Sequence, residues 1–448
     1  MKTIIKNGIA VLNGIAQYAE IAFKDGIIVD INSHVDEDID DSIIDAQGRY
    51  VLPGAIDSHV HYGIDQSADS FGTGSKAAVF GGITTVIDYV SPIHGKQFSD
   101  AFKKRLTDAE GHSYVDYTFH CEVLGWNGWN DSILNFVNKS GMNSLKVYTT
   151  YGQDQLSYKE IESLMKAAKN YNLFVMVHAE DDNIIQNTKE RMMINKKTAP
   201  MFHSVSRPED AEITAVKQLL EIAGRTGAHI HFAHVSTGKA AQLIAEGRSH
   251  GIIATAETCP HYLLLNDSIY LKDNAQLAIM TPPLRTERDN AELWKKLREG
   301  TIDSIVTDHC AYSRKEKLSK NTCFDTLPGI SGSETMVPLI YSEGVRKKRI
   351  TMAQMVEKVS VNPAKLYGIY PKKGILAVGS DADITILDQY KTKIIDGEKL
   401  HSASLYSAFN GMEVTGWPIM TILRGKTLCC NESLLVNKPG GEYVFKIG

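Results

Sequence analysis

At 448 residues with 43% hydrophobic content, the chain can bury a large core and build more than one structural unit. Its net charge of −5 is small for this length and its 48 Lys and Arg residues are scattered, which argues against a nucleic acid or an anionic membrane as partner and leaves a small-molecule ligand. Six cysteines without a CxxC pair, an N-terminus without a signal-peptide core, and no apolar run near the roughly 18 residues of a membrane span predict a cytoplasmic protein.

Residues 1–50, with "IIKNGIAVLNGIAQYAEIAFKDGIIVDI", alternate short strand patterns with Asn-Gly and Asp-Gly turn signals. From residue 51 the pattern changes. Eight runs rich in Val, Ile and Thr follow: "YVLPGAIDSH", "GGITTVIDYV", "SYVDYTFHCEV", "NSLKVYTT", "NLFVMVHAE", "AHIHFAHVS", "GIIATAETC" and "DSIVTDHC". Longer stretches of helical period separate them. Ser157 to Tyr171 places Ile161, Leu164, Met165 and Ala168 on one face behind a serine N-cap, and "RPEDAEITAVKQLLEIAGRTG" has a proline near its start and a glycine at its end. Strands alternating with helices pair in parallel through right-handed crossovers, so these units predict an α/β fold, a (β/α)8 TIM barrel over residues 51–371. The last stretch, 372–448, opens with "KKGILAVGSDADITILD" and returns to strand and turn patterns. Neither flank has enough chain for a good sheet alone. Residues 1–50 and 372–448 are therefore expected to combine into one small β-sandwich domain.

The ionisable residues gather at one end of these runs. In "IDSHVHYG", His59 and His61 stand two apart, so period-2 alternation turns both imidazoles to one face. Lys146 ends the fourth run, His178 the fifth, His234 the sixth and Asp308 the eighth. The C-terminal ends of barrel strands are where active sites are built. Any one of these residues alone is as well explained by packing or a turn, but a metal centre explains the whole set together. His229 and His231 sit deeper in their strand and are weaker ligand candidates; His309 points away from Asp308 and reads as structural. Four neutral imidazoles and a carboxylate suit zinc, as one ion or two. Lys146 is the arbiter. A protonated amine among divalent cations is repelled, so the amine should be neutral there, and a neutral lysine can add CO2 to give a carbamate able to bridge two metals. The plainer alternative is a lysine snorkelling from the rim to water.

The order HxH, Lys, His, His, Asp, with "SHVHYGID", "FGTGSKAAVFGGITTVIDY", "SLKVYTTYG", "ETCPHYLLL", "TPPLR", "VTDHC" and "GSDADITILD", resembles the cyclic amidohydrolases of the amidohydrolase superfamily over essentially the whole chain. The dihydropyrimidinase and D-hydantoinase (phenylhydantoinase-like) family is the nearest match. The resemblance implies two divalent metal ions, Zn2+ by choice of donors. His59 and His61 would bind one with Asp308, His178 and His234 the other, and Lys146, modified to N6-carboxylysine, would bridge them. It implies hydrolytic ring opening of a cyclic amide or imide, of hydantoin or dihydropyrimidine type, by a metal-bridged hydroxide. Asp308 would serve as general base and Tyr151, five residues after Lys146, would polarise the carbonyl. Tyr151, Thr281 and Asp325 are the implied substrate contacts, although relatives commonly carry serine and asparagine where Thr281 and Asp325 align. Loop residues Tyr62, Ile64, Phe71 and Ile93 either shape an apolar pocket for the ring substituent or pack the loops together. A homotetramer, or at least a homodimer, is also implied. Gly63 stands where dihydroorotases place an arginine, which weakens that alternative, while "ETCPHYL" keeps allantoinase as runner-up. A non-catalytic assembly protein of the same fold is disfavoured because every ligand position is filled.

Overall fold

The computed structural model describes residues 1–125 and 130–447. It contains two sheets. One has eight strands that neighbour each other in sequence order: Ala55–Asp57, Ile83–Val90, Asp116–Glu122, Ser144–Tyr148, Phe174–His178, Ile230–Phe232, Ala254–Thr258 and Ser304–Ile305. Pairing is parallel and helices intervene, which makes the near-closed TIM-like barrel that the alternation predicts. Its long strands are buried at every position, so apolar and polar residues, Asp88, His120 and Glu122 among them, are enclosed alike and no inside–outside alternation appears. Between strands, the helix Tyr158–Lys169 starts at a Ser157/Glu160 capping box and buries Ile161, Leu164, Met165 and Ala168, as its spacing requires.

The other sheet is mixed, with nine strands drawn from both flanks of the chain. Eight lie in the order Ser433–Leu434, Lys426–Cys430, Glu413–Leu423, Ile384–Ile394, Tyr50–Pro53, Thr3–Leu12, Ile15–Lys24 and Ile27–Asn32, and Ser42–Asp45 pairs with Thr3–Leu12. Tyr50–Pro53 is the joint between flanks, parallel to Thr3–Leu12 and antiparallel to Ile384–Ile394. The run "YVLPGAIDSH", expected as one barrel strand, is therefore two strands in two sheets, separated at Gly54. No side chain fits there: a Cβ on Gly54 would lie 2.1 Å from Thr84 Oγ1. Ile5, Ile21, Phe23, Ile28, Val51, Ile384 and Ile422 form the core of this sheet.

The chain divides into two compact units. Met1–Ile87, Asp108–Thr118 and Gly332–Gly448 make the first, and Asp88–Thr107 with Phe119–Ser331 the second. In the first, the buried Lys373 ammonium meets Asp116 at 2.5 Å and Asp381 and Asp383 at 2.8 Å, and Arg424 also binds Asp116. Burial by itself would lower the Lys373 pKa, but the three carboxylates outweigh it and raise it. This acidic group is thus already occupied by a cation of the chain itself. In the second unit, the helix Glu209–Thr226 ends on Gly227 at φ 60°, where glycine carries no Cβ penalty. All six cysteines are free, and among the described residues no helix is long and apolar enough to cross a membrane.

Candidate active site

His59 and His61 follow directly on the short strand Ala55–Asp57. His59 is buried and His61 half-buried, and their rings meet edge to face with centroids 5.2 Å apart. Among the described residues, His59, His61 and Asp308 form a His/Asp group able to hold a metal ion, each offering one ligand atom and the three atoms lying within 4.8 Å of one another. Two imidazoles and a carboxylate are a fitting donor set for a transition metal.

Lys146 is the middle residue of Ser144–Tyr148, not its end, in register with Glu122 on one neighbouring strand and Met176 on the other. It is 1% exposed, so the snorkelling alternative fails. Its Nζ lies 5.2 Å from the centroid of the Tyr148 ring and 5.6 Å from that of Tyr89. Burial lowers its pKa, with Glu257, Asp308 and Glu122 pulling the other way. Glu122 itself accepts hydrogen bonds from the hydroxyls of Tyr148 and Ser91. His178 ends its strand as expected, with Nδ1 3.1 Å from His234 Nε2 and Nε2 2.7 Å from Glu180 Oε2. Burial lowers the His178 pKa, which favours the neutral imidazole that a metal requires. His231, deeper in its strand, faces Thr255 at 2.8 Å and Glu257 at 3.1 Å.

Three of the expected residues sit in left-handed backbone: Tyr151 at φ 86°, Asp308 at 48° and His234 at 36°. Residues other than glycine seldom adopt it, at a cost of roughly 1–3 kcal/mol each, and such strain clusters where a strand end must re-aim a side chain. The Tyr151 hydroxyl lies 2.8 Å from Thr281 Oγ1 and 3.3 Å from His178 Nε2, so the structure brings these three together across long stretches of chain. Arg207 lies with its guanidinium 5.3 Å from the Tyr151 ring centroid and binds the buried Glu180 at 2.6 to 3.1 Å. Burial raises the Tyr151 pKa above the usual phenol value, so the hydroxyl stays a donor near neutral pH.

Asp325 stands apart from this group. It is exposed and accepts from the Thr322 hydroxyl at 2.6 Å. A cavity of about 390 Å³ includes Tyr151, Thr281 and Arg207 in its wall, and the later segment enters that wall at Cys323, Phe324, Thr326 and Pro328. Tyr62 and Phe71 are buried and pack on each other with ring centroids 5.9 Å apart, the loop-packing option. Glu180, Arg207 and Lys317 were not anticipated. Glu180, two residues after His178 on the same face, carried a period-2 signal; the other two carried none. The buried Lys317 amine donates to the carbonyls of Ile279 at 2.8 Å and Gly329 at 2.6 Å, tying together the two segments that flank the cavity, and burial pushes its pKa down to about 7.

Fold and site together define a TIM-like barrel protein with a His/Asp group suited to a metal. Residues 50–428 match the model of the Amidohydrolase family, and the chain belongs to that family. It is 34% identical to the D-hydantoinase of Geobacillus stearothermophilus over 458 residues, covering 99% of this chain and 96% of that one. Identity to the D-hydantoinase of Ralstonia pickettii is 35% over 455 residues, covering 99% and 98%. The crystal structure of dihydropyrimidinase from Brevibacillus agri NCHU1002 superposes with a TM-score of 0.95 at 32% identity, over 100% of this chain and 99% of that one. Within the family this is a hydantoinase- and dihydropyrimidinase-like hydrolase.

Proposed function

We propose that this protein hydrolyses a cyclic amide or imide of hydantoin or dihydropyrimidine type, as a cytoplasmic homotetramer or homodimer. The observation that carries the reading is end-to-end similarity to proteins named D-hydantoinase and dihydropyrimidinase. His59, His61 and Asp308 would hold one divalent ion, and His178 and His234 a second, with Lys146 as a CO2-derived carbamate between them; the donors suit zinc. The fit rests on neutral donors, and burial lowers the pKa of both His178 and Lys146. Bound there, two ions supply a water acidified toward neutral pH and an electrophile for the carbonyl. Residues 51–371 carry every candidate ligand, whereas 1–50 and 372–448, the small β domain, carry none.

The chain's own part is proton handling and orientation. Asp308 takes the proton of the attacking water on its carboxylate and returns it to the ring nitrogen as the C–N bond breaks. Tyr151 donates its phenolic proton to the carbonyl oxygen as negative charge gathers there. Thr281 Oγ1, 2.8 Å from that hydroxyl, and Thr281's main chain orient the ring; Asp325 would act on the substrate only by moving from its exposed place. A hydrolysis panel on metal-loaded protein tests the reading: dihydrouracil, a substituted hydantoin, allantoin and dihydroorotate, compared by kcat/KM. Highest kcat/KM on either of the first two supports it. A preference for allantoin or dihydroorotate would replace it with those activities, and metal content below about one ion per chain after zinc and bicarbonate supplementation would overturn it.

A further inference from the structure

The cavity that holds Tyr151 and Thr281 has a charge pattern that the reaction does not use. Its ionisable lining is Tyr151, Lys189, His203, Arg207 and Cys323, and no carboxylate is among its lining residues. Burial holds His203 neutral, with its pKa lowered to about 4, and raises the Cys323 thiol to about 11, so at neutral pH the charge in the wall comes from Lys189 and Arg207. Arg207 is already neutralised by Glu180 at 2.6 Å. The neighbouring carboxylates Asp182, which accepts from Thr150 Oγ1 at 2.7 Å, and Asp325, which accepts from Thr322 Oγ1 at 2.6 Å, keep their charge but are not among the lining residues and form no ion pair with Lys189. Among the described residues, Lys189 is the lining cation that forms no ion pair. It stands exposed on the helix Asp182–Ile194, and its Nζ lies 5.4 Å from the centroid of the Phe324 ring, which also lines the cavity.

We infer that this cavity receives the exocyclic substituent of the ring and selects one that ends in a carboxylate, with Lys189 as its partner. The inference rests on the cyclic-amide reading above. A lining cation without an ion pair can take one carboxylate, and Ile185, Phe324 and Pro328 in the same wall suit a short methylene stem. The substrate class is thus narrowed to cyclic amides built from an acidic amino acid or its homologue. Of the apolar loop residues that suggest a hydrophobic substituent, Tyr62 and Phe71 spend their surface on packing, and Ile64 and Ile93, both half-buried, are not among the lining residues of this cavity.

The hydantoins derived from glutamate and glutamine differ in charge and hardly in size. On metal-loaded protein, kcat/KM should favour the glutamate hydantoin about five- to tenfold, and the ratio should shrink with added salt. Lys189→Met should bring the ratio close to unity and Lys189→Glu should reverse it. A ratio that favours the glutamine hydantoin in the wild type, or that survives in Lys189→Met, overturns the inference. Calorimetric binding of both hydantoins separates the two levels of the claim. Absence of turnover on every hydantoin and on dihydrouracil strikes the cyclic-amide reading, whereas equal affinity for the two substituted rings strikes the charge selection.

Discussion

At Lys146 a four-carbon amine is enclosed with its Nζ near the Tyr148 and Tyr89 rings, and burial lowers its pKa. A neutral amine is what carbamate formation requires. Lys146→Ala is expected to reduce bound zinc below about one ion per chain and to lose activity, with partial rescue of both by small carboxylic acids. Metal analysis with and without added propionate checks this, and wild-type metal content in the variant would remove the bridge. Tyr151 has its phenol set against Thr281 and His178. Tyr151→Phe should lower kcat by about 10²–10³-fold with little change in KM, since the lost hydrogen bond strengthens only in the transition state. Steady-state kinetics showing a KM effect alone would make Tyr151 a packing residue. Spacing in the sequence exposed the histidines and Asp308, because strand alternation is local. Arg207 could not be found that way: its partner Glu180 is 27 residues distant and nothing in "SRPED" signals an ion pair.

Among the elements, the sharpest difference between expectation and structure lies at Gly54. The apolar run around it is continuous, and composition cannot tell that Tyr50–Pro53 and Ala55–Asp57 hydrogen-bond into different sheets. Close approach to Thr84 explains the glycine, but only once the fold is known. Lys317 works between elements in a similar way. Its amine joins carbonyls 38 and 12 residues away, so the loops that flank the Tyr151 cavity share one buried donor. Lys317→Met would take a buried donor from both carbonyls, of which that of Ile279 keeps the Gly329 N–H at 2.9 Å, at about 1–3 kcal/mol in all. We expect a lower urea midpoint and a raised KM together. A variant as stable as the wild type, with unchanged KM, would show that the two segments hold their positions without it.

For the whole molecule, buried histidines tie stability to pH. His203 and His261 are fully enclosed and burial lowers both to about 4, from an ordinary 6.5. Unfolded, they take up protons first as the pH falls, so the unfolded state gains below about pH 6.5. Their contribution is fully present above the unfolded pKa and is lost as pH drops toward the folded one, by roughly 3 kcal/mol for each group at most. Urea unfolding followed from pH 7.5 down to pH 4.5 should therefore show a falling midpoint, steepest below about pH 6. A flat or rising midpoint would mean that these two rings are hydrated in the folded protein.

The sequence by itself determined the barrel, the joining of the two flanks into a second sheet, and the set of histidines, lysine and aspartate that make a metal centre plausible. Those features are written in local periodicity, in turn residues and in residue type, which need no knowledge of distant chain. Tertiary structure alone decided that Lys146 is enclosed, that Tyr151 meets Thr281 and His178, that Asp325 stands outside their cavity, and that Lys189 lines its wall. Each depends on which residues, far apart in the chain, are excluded from water together, and burial of that kind is a property of packing that no local pattern records.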